Sequence, residues 1–141
     1  MDFGYTEEQT LFSNSLQKFL GDSYALDARR ALLQDEPGYS DEYWRAYAEL
    51  GVLGLLVGQQ YGGFDGTSGD AMVVAIELGK ALTLEPILPT IVLGGGAIAM
   101  AGSDAQKQDI LPKIVEGSIK LAVAFGEPTS RFDLADVSTM A

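Results

Sequence analysis

The chain has no cysteine and no histidine among its 141 residues. The first absence removes disulfides, thiol nucleophiles and thiolate-based zinc sites. The second removes Ser-His and Cys-His nucleophilic arrangements and imidazole metal ligands, so neither a metal site of these kinds nor a triad can be built here. Basic residues are scarce: 9 Lys and Arg stand against 20 Asp and Glu, for a formal net charge of -11 and an isoelectric point near 4.2. A nucleic-acid partner needs clustered cations to neutralise phosphates, and this balance argues against one. The opening also lacks the basic and then apolar order of a secretory signal, since Asp2-Phe3-Gly4-Tyr5 is followed by acidic residues. Together with the missing cysteines, this fits a cytoplasmic protein.

What is present is enough apolar material for a core. Hydrophobic residues make up 47% of the chain, which suits one globular domain of ordinary size. No charge occurs from Pro86 to Ser103, close to the length that spans a bilayer. Two prolines, three consecutive glycines and no basic flank within or beside that stretch argue against a membrane span. A helix buried in a soluble bundle explains it better.

Start and stop signals divide the chain into six helices. Thr6 and Gln9 form a capping box ahead of Leu11, Phe12, Leu16, Phe19 and Leu20 at helical spacing, which predicts a first helix over 6–20. Residues 25–34 read as a short second helix with Arg29 and Arg30 on its wet side, broken by Pro37-Gly38. Ser40 caps a third, with Asp41 and Glu42 in its first turn, Trp44, Tyr47, Ala48 and Leu50 inside, and Gly51 at its end. An apolar stretch over 52–57 leads into the glycine-rich loop 59–69. Asp70 can start a fourth helix, a fifth is expected over about 88–101, and a sixth over 104–116 behind the Ser103/Gln106 capping box.

Gly117 then supplies the left-handed residue that helix ends favour, and Lys120 to Phe125 reads as an apolar strand with Leu121, Val123 and Phe125 on one side. A lone strand exposes unpaired edges and no second strand pattern precedes it. The expected architecture is therefore all-α, an orthogonal or up-down six-helix bundle over 1–118, followed over 119–141 by the first strand of a β domain that is cut off.

Individual motifs are modest. Glu127-Pro128 after the strand can end a ladder or present backbone amides to a flavin or phosphate. Gly62, Gly63 and Gly66 have no preceding strand and lack the phosphate-loop order, so they read as a plain loop. Gly94-Gly95-Gly96 serves either close packing or ligand room, at roughly 1 kcal/mol per glycine relative to alanine. The carboxylate pairs Glu7-Glu8, Asp41-Glu42 and Asp133/Asp136 lie in caps and loops that favour solvated, ionised groups, so no catalytic acid or base is assigned. Tyr43, Trp44 and Tyr47 read as a core edge, and Arg131 as a solvated loop residue.

Five segments in order resemble the acyl-CoA dehydrogenase family: the T-E-E-Q opening helix, GVLGLLV-x-x-x-YGG at 51–63, IELGKAL at 76–82, GSDAQKQDILPKIVEG, and AFGEP. The resemblance implies the helical N-terminal domain and the start of the middle β domain of an FAD-dependent enzyme that oxidises the alpha and beta carbons of an acyl-CoA thioester. An electron-transfer flavoprotein or similar acceptor would reoxidise the flavin, and a homo- or hetero-oligomer is expected. The helical domain would wall the acyl pocket, with the glutamate base in a later domain. By the same resemblance Phe125, Gly126 and Glu127 fall at flavin-contacting places, and Pro89 and Leu93 at acyl-lining ones, where the three glycines would widen the cavity. Family members usually carry threonine in place of Gly126 and follow E-P with G-x-G-S-D, whereas this chain reads T-S-R-F-D and keeps only Asp133. These departures resemble divergent subunits acting on pimeloyl-CoA or steroid side chains. They keep an alternative open, in which the chain is a non-catalytic or half-site subunit or a dimerisation module.

Overall fold

A computed structural model describes residues 4–34, 36–127 and 133–140. Pro128, Arg131 and Phe132 lie outside the described residues. The described chain holds six α-helices: α1 (Glu7–Ser23), α2 (Leu26–Leu32), α3 (Asp41–Glu49), α4 (Ser68–Ala81), α5 (Gly95–Ala101) and α6 (Asp104–Val115). A 3-10 turn, Gln59–Tyr61, precedes α4, and a π-helical stretch, Leu88–Gly94, runs directly into α5.

Local chemistry sets most boundaries. The Thr6 and Ser103 capping boxes both form, each hydroxyl accepting from the backbone three residues on while the Gln9 or Gln106 side chain accepts from the cap's own N–H. Ser40 caps α3 by accepting from Tyr43 N at 3.2 Å. The fourth helix begins earlier than Asp70. Thr67 is its cap and Asp70 the reciprocal partner, accepting from Thr67 N at 2.7 Å, because aspartate can play the third-position role usually given to glutamate or glutamine. Gly117 takes φ +72°, as its place after α6 demands, and its carbonyl accepts from Trp44 Nε1 at 2.8 Å.

Packing is built around the return of the chain between α3 and α4. The apolar stretch 52–57 forms a series of buried turns, with Val52 and Leu53 fully inaccessible. The glycine-rich loop folds back on it: Gly66 N donates to Leu55 O, Asp65 N to Val57 O and Phe64 N to Gly54 O. Gly63 sits so close to the Val57 and Gly54 carbonyls that no side chain fits there, which gives the loop a packing role. Leu16 and Leu20 of α1 with Tyr24 just after it, Trp44 and Tyr47 of α3, Val74 and Leu78 of α4, and Leu111 and Ile114 of α6 close around this centre. Phe19 adds edge-to-face contacts with Tyr43 and Tyr47, centroids 6.0 and 5.4 Å away.

The expected strand over 120–125 does not form among the described residues. A ladder needs a second strand, and none is present to pair with it. Leu121 is half-buried, whereas Val123 and Phe125 are exposed. The second helix is also less wet than expected on one side: Arg30 is exposed, but Arg29 Nε donates to Leu82 O at 2.7 Å and ties α2 to the end of α4.

Two carboxylates lie inside the bundle, and neither stood out in the sequence. Glu77 of α4 is 3% exposed and accepts from Ser13 Oγ at 3.1 Å and Lys80 Nζ at 2.9 Å. Glu85, 6% exposed, accepts from Tyr24 Oη at 2.9 Å and Ser40 N at 3.1 Å. The Tyr24 hydroxyl in turn accepts from Leu84 N at 2.8 Å. Burial pushes the Tyr24 and Tyr47 hydroxyls far above the ordinary tyrosine range, and the Glu85 charge beside them adds to the rise. Both stay protonated and so remain available as donors at physiological pH.

Burial would by itself raise the Glu77 carboxyl, but hydrogen bonds from Lys80, Gln17 and Ser13 outweigh it and hold the group below its usual value. A depressed folded value means that the ionised group stabilises the fold above its unfolded value of about 4.3, and that this contribution disappears as pH falls through the folded value. Glu77→Gln should therefore flatten the loss of stability on acidification below about pH 4, as read by urea midpoints across pH. Tyr24→Phe removes the donor to Glu85 and the acceptor for Leu84 N together. It should lower unfolding stability by about 2 kcal/mol in denaturant titration at neutral pH.

Candidate functional site

The residues singled out by the sequence fall on two elements that lie side by side. Pro89 and Leu93 belong to the π-helical stretch, which prolines and β-branched residues shape from its start: Pro86 and Pro89 remove two backbone donors, and Thr90 N reaches back to Pro86 O at 3.2 Å. Thr90, Ile91 and Gly94 of this stretch face inward, while Leu88, Val92 and Leu93 face out, at 52%, 37% and 46% exposure. Short π-helical stretches interrupt the regular α ladder and recur at functional sites. Here the result is a shelf of apolar side chains on the surface, with Pro89 half-buried at its base.

The segment 119–127 meets the π-helical stretch from its inward side, at Thr90 and Gly94. Its start is held at three points. Lys120 Nζ bonds Asp41 at 2.9 Å and stands 4.8 Å over the Tyr39 ring and 5.1 Å over that of Trp44. Burial would lower the Lys120 ammonium, but the bonds to Asp41 and Tyr39 prevail and raise it. Leu121 N and O both meet the Thr90 hydroxyl, and the Leu121 side chain rests against Gly94.

Beyond Leu121 the segment is open. Phe125 is 59% exposed, and among the described residues no atom lies within 4 Å of where a Cβ on Gly126 would stand. A Cβ has room there, so packing by the described residues does not impose the glycine. Glu127 accepts from Ser138 Oγ at 2.9 Å and Thr139 N at 3.1 Å, which bring 138–139 against it and hold its carboxyl below the usual range. The segment thus offers exposed residues, one aromatic ring and a charged end. Those features suit contact with a planar ring system, and the donors of 122–126 suit either polar ring edges or a neighbouring strand.

The three glycines divide between the two roles left open by the sequence. At Gly94 a Cβ would stand 2.5 Å from Leu121 Cβ, and at Gly95 it would stand 3.2 Å from Thr90 O and 3.5 Å from Ile114 Cδ1. Gly96 meets nothing within 4 Å. Widening of a cavity is therefore confined to Gly96. The first two glycines are filled by neighbours.

A separate cleft of about 300 Å³ lies between the starts of α1 and α4, lined by Phe12, Leu55, Phe64 and Val73 with Gln9 and Asp70 at its polar side. Gln9 Nε2 and Asp70 bond each other at 2.8 Å, and Thr67 holds the second Asp70 oxygen. Among the described residues no group of His, Cys, Asp or Glu could hold a metal ion, and no helix is long and apolar enough to cross a membrane.

Residues 6–118 match the family model described as acyl-CoA dehydrogenase, N-terminal domain. The chain is 31% identical over 139 residues to (2S)-methylsuccinyl-CoA dehydrogenase of Cereibacter sphaeroides, covering 98% of this chain and 25% of that protein. It is also 31% identical over 134 residues to the acyl-CoA dehydrogenase IpdE2 of Mycolicibacterium smegmatis, covering 94% and 42%. Among solved structures, the ChsE4-ChsE5 complex from Mycobacterium tuberculosis superposes with a TM-score of 0.83 at 28% identity, over 92% of this chain and 36% of that one. The chain thus spans between a quarter and about two-fifths of the length of the curated relatives it matches.

If Gly94 exists to admit Leu121, a methyl group there must displace the 119–127 segment. Gly94→Ala should lose about 1–3 kcal/mol from overpacking despite the better helix propensity of alanine. The matched change at Gly96, where space is open, should gain up to about 1 kcal/mol. Denaturant midpoints of the two variants, compared side by side, check both signs.

Proposed function

The chain belongs to the acyl-CoA dehydrogenase family through the N-terminal helical domain of that family, and on this footing we propose that it is the front portion of an FAD-dependent enzyme that dehydrogenates an acyl-CoA thioester. The observation that carries the reading is the docking of Leu121 on Thr90 and Gly94, which joins the stretch bearing Leu88, Val92 and Leu93 to the segment that runs on to Phe125, Gly126 and Glu127. An apolar shelf of this kind is suited to an acyl chain, with Pro89 and Leu93 lining it. The neighbouring segment is suited to a flavin edge. Residues 119–141 then begin a second, sheet-forming domain, whose further strands would supply the partners that the apolar run at 120–125 lacks.

Bound there, FAD would supply the acceptor for the hydride leaving the beta carbon. This chain's own contribution is to exclude water from the acyl chain and to orient it. No carboxylate of the helical domain is assigned as the base that takes the alpha proton: Glu77 and Glu85 are committed to hydrogen bonds inside the bundle, and a base must reach the proton it removes. The base belongs elsewhere in the parent protein. An electron-transfer flavoprotein or similar protein would take the electrons on.

A second reading is favoured by one observation. Gly126 brings no hydroxyl to a place where the described residues leave room for a Cβ, which weakens flavin contact from this subunit alone. The likeness to a complex of two unlike chains supports the same reading, in which flavin is completed by a partner subunit.

The complete parent polypeptide should purify yellow with bound flavin and reduce an artificial electron acceptor when given acyl-CoA. Protein that stays colourless and inactive, alone and after mixing with a candidate second subunit, would overturn the enzyme reading. Flavin uptake only on mixing would select the subunit reading.

A further inference from the structure

A threonine or serine hydroxyl inside a helix ordinarily bonds back to a carbonyl of its own helix four residues earlier. Two residues of α1 do this: Thr10 Oγ1 donates to Thr6 O at 2.9 Å, and Ser15 Oγ to Leu11 O at 3.0 Å. Thr90 does not. Its hydroxyl is fully buried and reaches 31 residues along the chain, donating to Leu121 O at 3.3 Å and receiving Leu121 N at 3.1 Å. One side chain thereby satisfies both backbone groups of Leu121, as a neighbouring strand would do.

The close approach has an independent cause on the helix side. Gly94, one turn further on, carries no side chain and so admits Leu121 Cβ to the space where its own would stand. Thr90 and Gly94 together form a dock for one residue. Residue 121 lies four positions before Phe125, and Thr90 itself stands between Pro89 and Leu93. The two halves of the site, the apolar shelf and the open segment, are fixed relative to each other at this point.

We propose that Thr90 is a positioning residue that sets the register of the 121–127 segment against the π-helical stretch Leu88–Gly94, and so aligns the flavin edge with the acyl wall. The proposal rests on the reading of these two elements given above. It assigns Thr90 no contact with flavin or substrate. Loss of the hydroxyl leaves both Leu121 backbone groups without their partner and lets the segment shift along that stretch.

The test compares Thr90→Val, which keeps the shape and removes the hydroxyl, with Thr90→Ser, which keeps the hydroxyl. Both are made in the complete parent protein, with its partner subunit if flavin needs one. Hydrogen exchange at the Leu121 amide reads the dock without reference to activity. Valine should speed that exchange by about tenfold or more, while serine holds it within about twofold. Flavin affinity, measured by titration well below the unfolding temperature of each variant, should weaken about tenfold for valine and recover with serine. Unchanged Leu121 exchange in the valine variant would refute the dock. Faster exchange with flavin affinity unchanged would refute the positioning role while leaving the enzyme reading intact. A parent protein that takes up no flavin in any form would instead overturn the functional reading and the positioning role with it, with Leu121 exchange still reporting the dock.

Discussion

A carboxylate placed inside a helical bundle must be fully hydrogen-bonded or the fold pays heavily for it, and much of this structure is arranged around satisfying Glu85. Its two oxygens collect the Tyr24 hydroxyl at the end of α1 and the Ser40 amide at the start of α3, while Tyr24 also holds the Leu84 amide. Two separate parts of the chain therefore converge on one short link between α4 and the π-helical stretch, at Leu84 and Glu85. Ile87, two residues later, is 2% exposed in the core. In the seven residues that follow Ile87, Leu88, Val92 and Leu93 face outward while Thr90, Ile91 and Gly94 face inward.

The orientation of that stretch explains why the domain has an incomplete surface at one side. Elsewhere the helices close on Leu16, Trp44, Tyr47, Leu53 and Ile114, all essentially inaccessible. Along the π-helical stretch, Leu88, Val92 and Leu93 face outward, and Phe125 is exposed on the segment that docks at Thr90. Such a face is costly to leave in water.

Much of the helical architecture was legible because it is written in short-range rules. The Thr6/Gln9 and Ser103/Gln106 boxes need only residues three apart, and Gly117 needs only its own φ, so each could be read without knowing what surrounds it. The Thr67 cap was missed because an aspartate at the third position is a less familiar signal than Gln9 or Gln106. The strand over 120–125 was read from alternation alone, and alternation describes what a segment can do once a partner strand exists. The two buried carboxylates gave no signal, since Glu77 and Glu85 look like ordinary surface residues until Ser13, Tyr24 and Ser40 are brought to them from tens of residues away.

The candidate site divides in the same way. The sequence by itself determined most helix ends, that the fold is helical, and, through five ordered segments, which family it resembles; these depend on neighbours along the chain and on residue order. Only the tertiary structure decided that Gly94 and Gly95 are filled while Gly96 is open, that Gly126 has room for a side chain, and that Thr90 spends its hydroxyl on Leu121. Those outcomes depend on distances between residues remote in sequence. A glycine or a threonine carries no local mark of what will be packed against it.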